Sequence, residues 1–144
     1  MDNLQDSRLS SSYWALRVTY VLVPVLAGLD KFLHLDLLTT WSQYLSSTFE
    51  RLIPVSPGAF LRTAGAVEIV AGLLVASKLT RVGAYVVMAW LICIAINLVS
   101  LHMFDVAVRD LAMAVGAFAL ARLQEARAGV PARVKRQERV TAPA

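Results

Sequence analysis

Val82-Gly-Ala-Tyr-Val-Val-Met-Ala-Trp-Leu-Ile-Cys-Ile-Ala-Ile-Asn-Leu-Val-Ser-Leu-His-Met103 is the stretch that decides the fold class. It contains no Asp, Glu, Lys or Arg, and Asn97 is its only strongly polar side chain before His102. At 1.5 Å of rise per residue, a helix of this length crosses the roughly 30 Å hydrocarbon core of a bilayer. The run predicts a transmembrane helix over about 82–103.

Working outward, three more runs of similar length appear. Before it, across the short connection Lys78–Arg81, a second span is expected over about 57–77, with Ser56 as its N-cap and Pro57 at its first helical position. After it, a fourth span is expected over about 104–123, interrupted near its start by Asp105, Arg109 and Asp110. The first span, about 13–33, opens with Tyr13 and Trp14, rings suited to the headgroup level, and carries Pro24, where a kink is expected.

Between Leu37 and Ile53 the pattern changes. Leu37, Leu38, Trp41, Tyr44, Leu45, Phe49, Leu52 and Ile53 recur at helical spacing, while Thr40, Ser42, Gln43, Ser46, Ser47 and Glu50 fill the other face. That pattern predicts an amphipathic helix lying on the membrane and ended by Pro54. The expected fold is all-α: a four-helix transmembrane bundle with an interfacial helix between spans 1 and 2. Residues 1–123 form the membrane domain and 124–144 a basic cytoplasmic tail.

Composition agrees. A hydrophobic content of 58% and a mean hydropathy of +0.61 exclude an ordinary water-soluble domain of 144 residues. The N-terminus holds Asp2 and Asp6 with only Arg8, and no small-residue cleavage pattern follows, so the first helix is expected to be retained. No internal repeat or low-complexity tract interrupts the chain.

The net charge of +4 and pI near 9.6 do not signal nucleic acid. Six of the fourteen basic residues fall between Arg122 and Arg139, beside the last span, where they orient the chain and meet anionic lipid. Lys78 and Arg81 fall on the same side in a four-span topology. Both termini are therefore expected in the cytoplasm, with the protein multi-pass in the inner cell membrane. The amphipathic segment, with Arg51, and the loop around His102 then face outward.

Counting rise from the expected helix ends puts Asp30, Lys31, Arg62, Asn97, Arg109 and Asp110 roughly 5 to 10 Å inside the outer boundary. Glu68 lies deeper, roughly 15 Å along the second span, between Gly65 and Gly72. Each intramembrane charge costs about 2.5 to 3.5 kcal/mol, so a paired network is expected in which Asp30, Glu68 and Asp110 offset Lys31, Arg62 and Arg109. The bland alternative has Lys31 and Arg62 snorkelling to the interface and Arg109 with Asp110 outside the bilayer. Glu68, buried and protonated, would suit a proton or quinone site; its plainer role is a structural hydrogen bond to Asn97, Arg17 or Arg62.

Other chemistry is thin. No spacing places a nucleophile beside a base. Cys93 is the single cysteine and sits in an apolar run, so neither a disulfide nor a cysteine metal site is expected. His34 and His102 read as solvated loop residues, with no metal assigned. Trp14, Trp41 and Trp90 read as interface or packing residues.

Several short motifs resemble the DoxX-like family of small four-helix membrane proteins: Arg17 with Ala27-Gly-Leu-Asp-Lys-Phe32, Gly65-Ala-Val-Glu-Ile-Val-Ala-Gly-Leu-Leu74, Thr80-Arg-Val-Gly-Ala84 and Arg109-Asp-Leu-Ala112. The resemblance runs from Arg17 to Leu123. It implies a four-helix bundle and, for the founding members, the membrane subunit of a thiosulfate:quinone oxidoreductase; other relatives resemble accessory proteins. It supplies no catalytic residue. The expectation is therefore an accessory, quinone-linked redox subunit, not catalytic on its own, with quinone as cofactor. Its expected partners are the lipid bilayer, a redox protein and a second copy of the chain. A small-solute or proton-coupled transporter and a purely structural membrane protein are the alternatives.

Overall fold

The computed structural model describes the backbone of residues 2–33, 37–38, 40–44 and 56–141, and within these the side chains of 7–33, 37–38, 40–41, 43, 56 and 58–128. Among the described residues the chain is helical, without strands. α1 spans Asp2–Leu33, a single 3-10 turn spans Trp41–Tyr44, and α2, α3 and α4 span Pro57–Ala76, Thr80–Ser100 and Phe104–Thr141.

Local chemistry explains the helix ends. Ser56 is extended at φ −62° and ψ 146°, its Oγ accepts from Ala59 N at 3.4 Å, and Pro57 follows at the first helical position, as its fixed φ and missing N–H favour. The turn into α3 is closed by Thr80, whose buried hydroxyl donates to the carbonyls of Val75 and Ser77. α3 ends in a Schellman motif: Met103 N donates to Leu98 O and His102 N to Val99 O, each at 3.0 Å. His102 takes the left-handed φ of 60° that glycine usually holds there, so its place in the fold is a turn.

Two boundaries differ from those expected. α1 begins near Asp2, well before Tyr13, and α4 continues past Leu123 to Thr141. The two extensions meet: Arg127 donates to Ser10 Oγ at 3.3 Å and stacks on the Tyr13 ring at 4.3 Å. Residues 2–12 hold no Gly or Pro to stop a helix. Pro24 lies within α1 without ending it. Of the expected amphipathic helix, Trp41–Tyr44 forms a 3-10 turn where an α-helix was expected. Residues 45–55, and His34, lie outside the described residues.

α1 packs chiefly on α2 and α3 on α4, with further contacts between α2 and α3 and between α1 and α4. Neighbours are antiparallel, so the start of α1 and the late part of α4 share one end. Small residues set the spacing: Ala71, Ala84, Ala114, Ala117 and Ala121 are buried around Val75, Leu91 and Leu120. α1 and α2 approach closely at Gly28 and Gly65, where a Cβ on either would fall 2.5 to 2.6 Å from the other's carbonyl oxygen.

The outward faces are apolar. Val18, Leu22 and Leu26 of α1, Ile96 and Val99 of α3, and Val108 and Val115 of α4 are exposed. α2, over Gly58–Ala76, and α3 are each long and apolar enough to cross a membrane, yet only 33% of either apolar window is buried within the protein. A core helix of a soluble fold would be mostly covered; these present their apolar sides outward.

Candidate functional site

The Gly28–Gly65 approach brings the last turn of α1 against the middle of α2. Lys31 thereby crosses to Glu68, its Nζ donating to Oε2 at 2.7 Å and to Oε1 at 2.9 Å. The two side chains are 10% and 7% exposed, so the pair is withdrawn from solvent. Trp90 of α3 donates its indole N–H to Glu68 Oε1 at 3.3 Å, and the ring of Trp41 covers the ammonium with its centroid 3.5 Å from Nζ. A desolvated ammonium gains from the negative face of an indole, so Trp41 replaces part of its lost hydration.

Asp30 explains why Trp41 is there. Its buried carboxylate accepts from Leu37 N at 2.9 Å and Leu38 N at 3.0 Å, pinning the chain reversal after α1. It also accepts from Trp41 Nε1 at 2.7 Å. Adjacent residues thus do different work: Asp30 folds the loop back, and Lys31 receives the indole that the loop delivers. Asp110, half-buried on α4, lies within electrostatic reach of both Lys31 and Glu68.

The expected site residues separate into two sets. Asp30, Lys31 and Glu68 are buried together, with Asp110 beside them. Arg62 and Arg109 are exposed, and Asn97 is half-buried on α3. Arg109, though exposed, is the strongest charge influence on Asp110, ahead of Lys31. Of the partners weighed for Glu68 in the sequence, Arg17 is at the far end of α2, where it donates to the carbonyls of Val75, Ala76 and Ser77 at 2.8 to 3.2 Å. It supplies the donors that the last turn of α2 lacks.

Trp41 and Trp90 are the site residues that sequence reading assigned only to interface or packing. A buried indole N–H seeks an acceptor, and Asp30, Glu68 and Asp110 were the acids expected to be buried, but which indole meets which acid is set by tertiary packing. His102 and Cys93 are exposed, and among the described residues no group of three or more His, Cys, Asp or Glu is placed to hold a metal.

The family model of DoxX matches residues 13–102, more than half of the chain. The chain belongs to the DoxX family. The matched stretch of this DoxX protein contains Asp30, Lys31, Trp41, Glu68 and Trp90, the whole hydrogen-bonded cluster. It stops before Arg109 and Asp110, so the fourth-helix motif lies beyond it. Membership makes this a membrane-associated protein, consistent with two helices able to cross a bilayer. No curated protein and no solved structure matches the chain.

Proposed function

We propose that this DoxX-family protein is a four-span subunit of the inner cell membrane, with both termini cytoplasmic, that serves a quinone-linked redox partner from the Lys31–Glu68 site. Its topology rests on the antiparallel order of the helices, their outward apolar faces, and the collection of Arg17, Lys78, Arg81, Arg122 and Arg127 at one end. Basic residues mark the cytoplasmic side. The quinone reading is carried by one observation: a buried ammonium–carboxylate pair flanked by two indoles inside an apolar helix set.

These residues fit the chemistry of a quinone headgroup. Quinone carbonyl oxygens need N–H donors: Glu68 takes two of the three that the Lys31 ammonium carries and the single one of Trp90, which leaves the third Lys31 N–H for a ligand, while the indole faces suit a flat ring. A bound quinone would supply two-electron acceptance from a partner protein. The chain's own contribution is to orient the headgroup through Lys31, to lay the ring against the indoles and to keep water out. Asp30 is a positioning residue, acting through Trp41.

One observation favours a purely structural role: Lys31 already bonds both Glu68 oxygens. Mass spectrometry of quinones that co-purify in mild detergent separates the readings. The comparison is between the natural chain, Glu68→Gln, and the apolar replacement of the pair, Lys31→Met with Glu68→Leu. The redox reading expects quinone in the natural chain and loss from both variants. If no form retains quinone and only Glu68→Gln loses thermal stability, the pair is structural and the redox reading is abandoned.

A further inference from the structure

A second charged cluster lies at the opposite end of the helices. Glu125 of α4 sits between two arginines: Arg81 Nε is 2.8 Å from Oε1 and Arg122 Nη1 is bonded to Oε2, while the Tyr85 hydroxyl donates to Oε1 at 3.2 Å. The carboxylate is 20% exposed and the arginines 63% and 61%, so the acid is held inward and the guanidiniums outward. Each guanidinium has five N–H donors, and Glu125 engages one nitrogen of each in these contacts. The acid fixes the two arginines side by side with donors facing out. Lys78, exposed in the preceding turn, raises the local balance to three cations against one anion.

Beside Arg81, the residues Val82, Tyr85, Val86 and Ala89 form a shallow, open and mostly apolar strip along α3. From Arg81 to Ala89 the strip follows the helix for roughly 12 Å. The Tyr85 ring, 6.5 Å from that of Phe118, links α3 to α4 beside it. A fixed cationic fork at one end and an open apolar strip running away from it match a molecule with an anionic head and a hydrocarbon tail. A soluble phosphate would use only the fork.

We infer that this is a binding site for one anionic phospholipid, its phosphate on Arg81 and Arg122 and an acyl chain along Val82, Val86 and Ala89. Glu125 positions the arginines and prevents them from folding back onto the helix. The inference rests on the membrane-crossing reading of α2 and α3, and is independent of the quinone reading. A lipid wedged there would tie α3 to α4 at the cytoplasmic end.

Native mass spectrometry of the full chain in detergent, with phosphatidylglycerol or phosphatidylcholine of identical chains added, tests it. One phosphatidylglycerol should survive removal of the detergent. Its preference over phosphatidylcholine should fall by about 25-fold in Arg81→Gln with Arg122→Gln, taking roughly fivefold per arginine near an anionic surface. Val86→Trp, which reshapes the apolar strip and leaves every charge in place, should also weaken retention. Equal retention of the two lipids, or a preference that survives the arginine changes, overturns the site. A preference sensitive to the arginines but indifferent to Val86→Trp shows diffuse surface attraction and overturns it too. Recovery of the chain from the soluble fraction without detergent would instead remove the membrane reading beneath it.

Discussion

Glu68 and Glu125 are each held by basic and aromatic neighbours, yet the two ends of the molecule use them differently. Glu68 meets one lysine and one indole with almost no exposure. Glu125 meets two arginines that stay mostly in solvent. Burial, rather than residue type, sets what each pair is worth. A charge withdrawn from water depends on its partner for all of its compensation, whereas an exposed one has water as a substitute.

The comparison can be broken most sharply at Glu68. Glu68→Ala leaves Lys31 buried without its counter-ion and should cost about 3 to 5 kcal/mol of stability, read by denaturant unfolding in micelles. Replacing both partners, Lys31→Met with Glu68→Leu, should recover most of that loss, because the buried charge goes with its partner. If the double variant is as unstable as the single, burial is not the deciding term.

Next in size is Trp41→Phe. A ring remains to cover the Lys31 ammonium, but Asp30 loses its indole donor, and a hydrogen bond to a charged acceptor is worth about 1.5 to 3 kcal/mol. The same unfolding assay reads it. Gly65→Ala should cost about 1 to 3 kcal/mol by forcing α1 away from α2, and should lengthen the Lys31–Glu68 contact in a crystal structure of the variant. At the other end, Arg122→Ala should change stability by less than about 1 kcal/mol, since its ion pair is exposed. A larger loss there would erase the contrast between the two ends.

The sequence displayed some of this directly and hid the rest for physical reasons. The bounds of α2 and α3 follow from Ser56-Pro57 and from the uncharged run after Arg81, because capping and hydropathy are local. The starting point of α1 was hidden, because polar residues such as Asn3, Gln5 and Ser10 end a hydrophobic pattern without ending a helix. Counting rise placed Lys31 and Glu68 at different depths. That count follows Cα positions, and the long lysine side chain closes the gap across a glycine contact that no single helix reveals. Trp41 was out of reach for a similar reason: the Asp30 hydrogen bonds that reverse the chain are tertiary, and only the reversal brings the ring over Lys31. Arg62 and Arg109 entered the expected network through charge balance; both are exposed, and Arg109 still acts on Asp110, since a helix carries charge on whichever face the turn assigns it.

The most direct test of a quinone site at the Lys31–Glu68 pair uses the two indoles that flank it. In a Trp14→Phe background, Trp41 and Trp90 are the remaining tryptophans, and a short-chain quinone titrated into the purified protein quenches an indole that it contacts. A site at the pair should give saturable quenching that disappears when Lys31→Met and Glu68→Leu are introduced together. Quenching that rises linearly, without saturation, and is identical in both forms would contradict it.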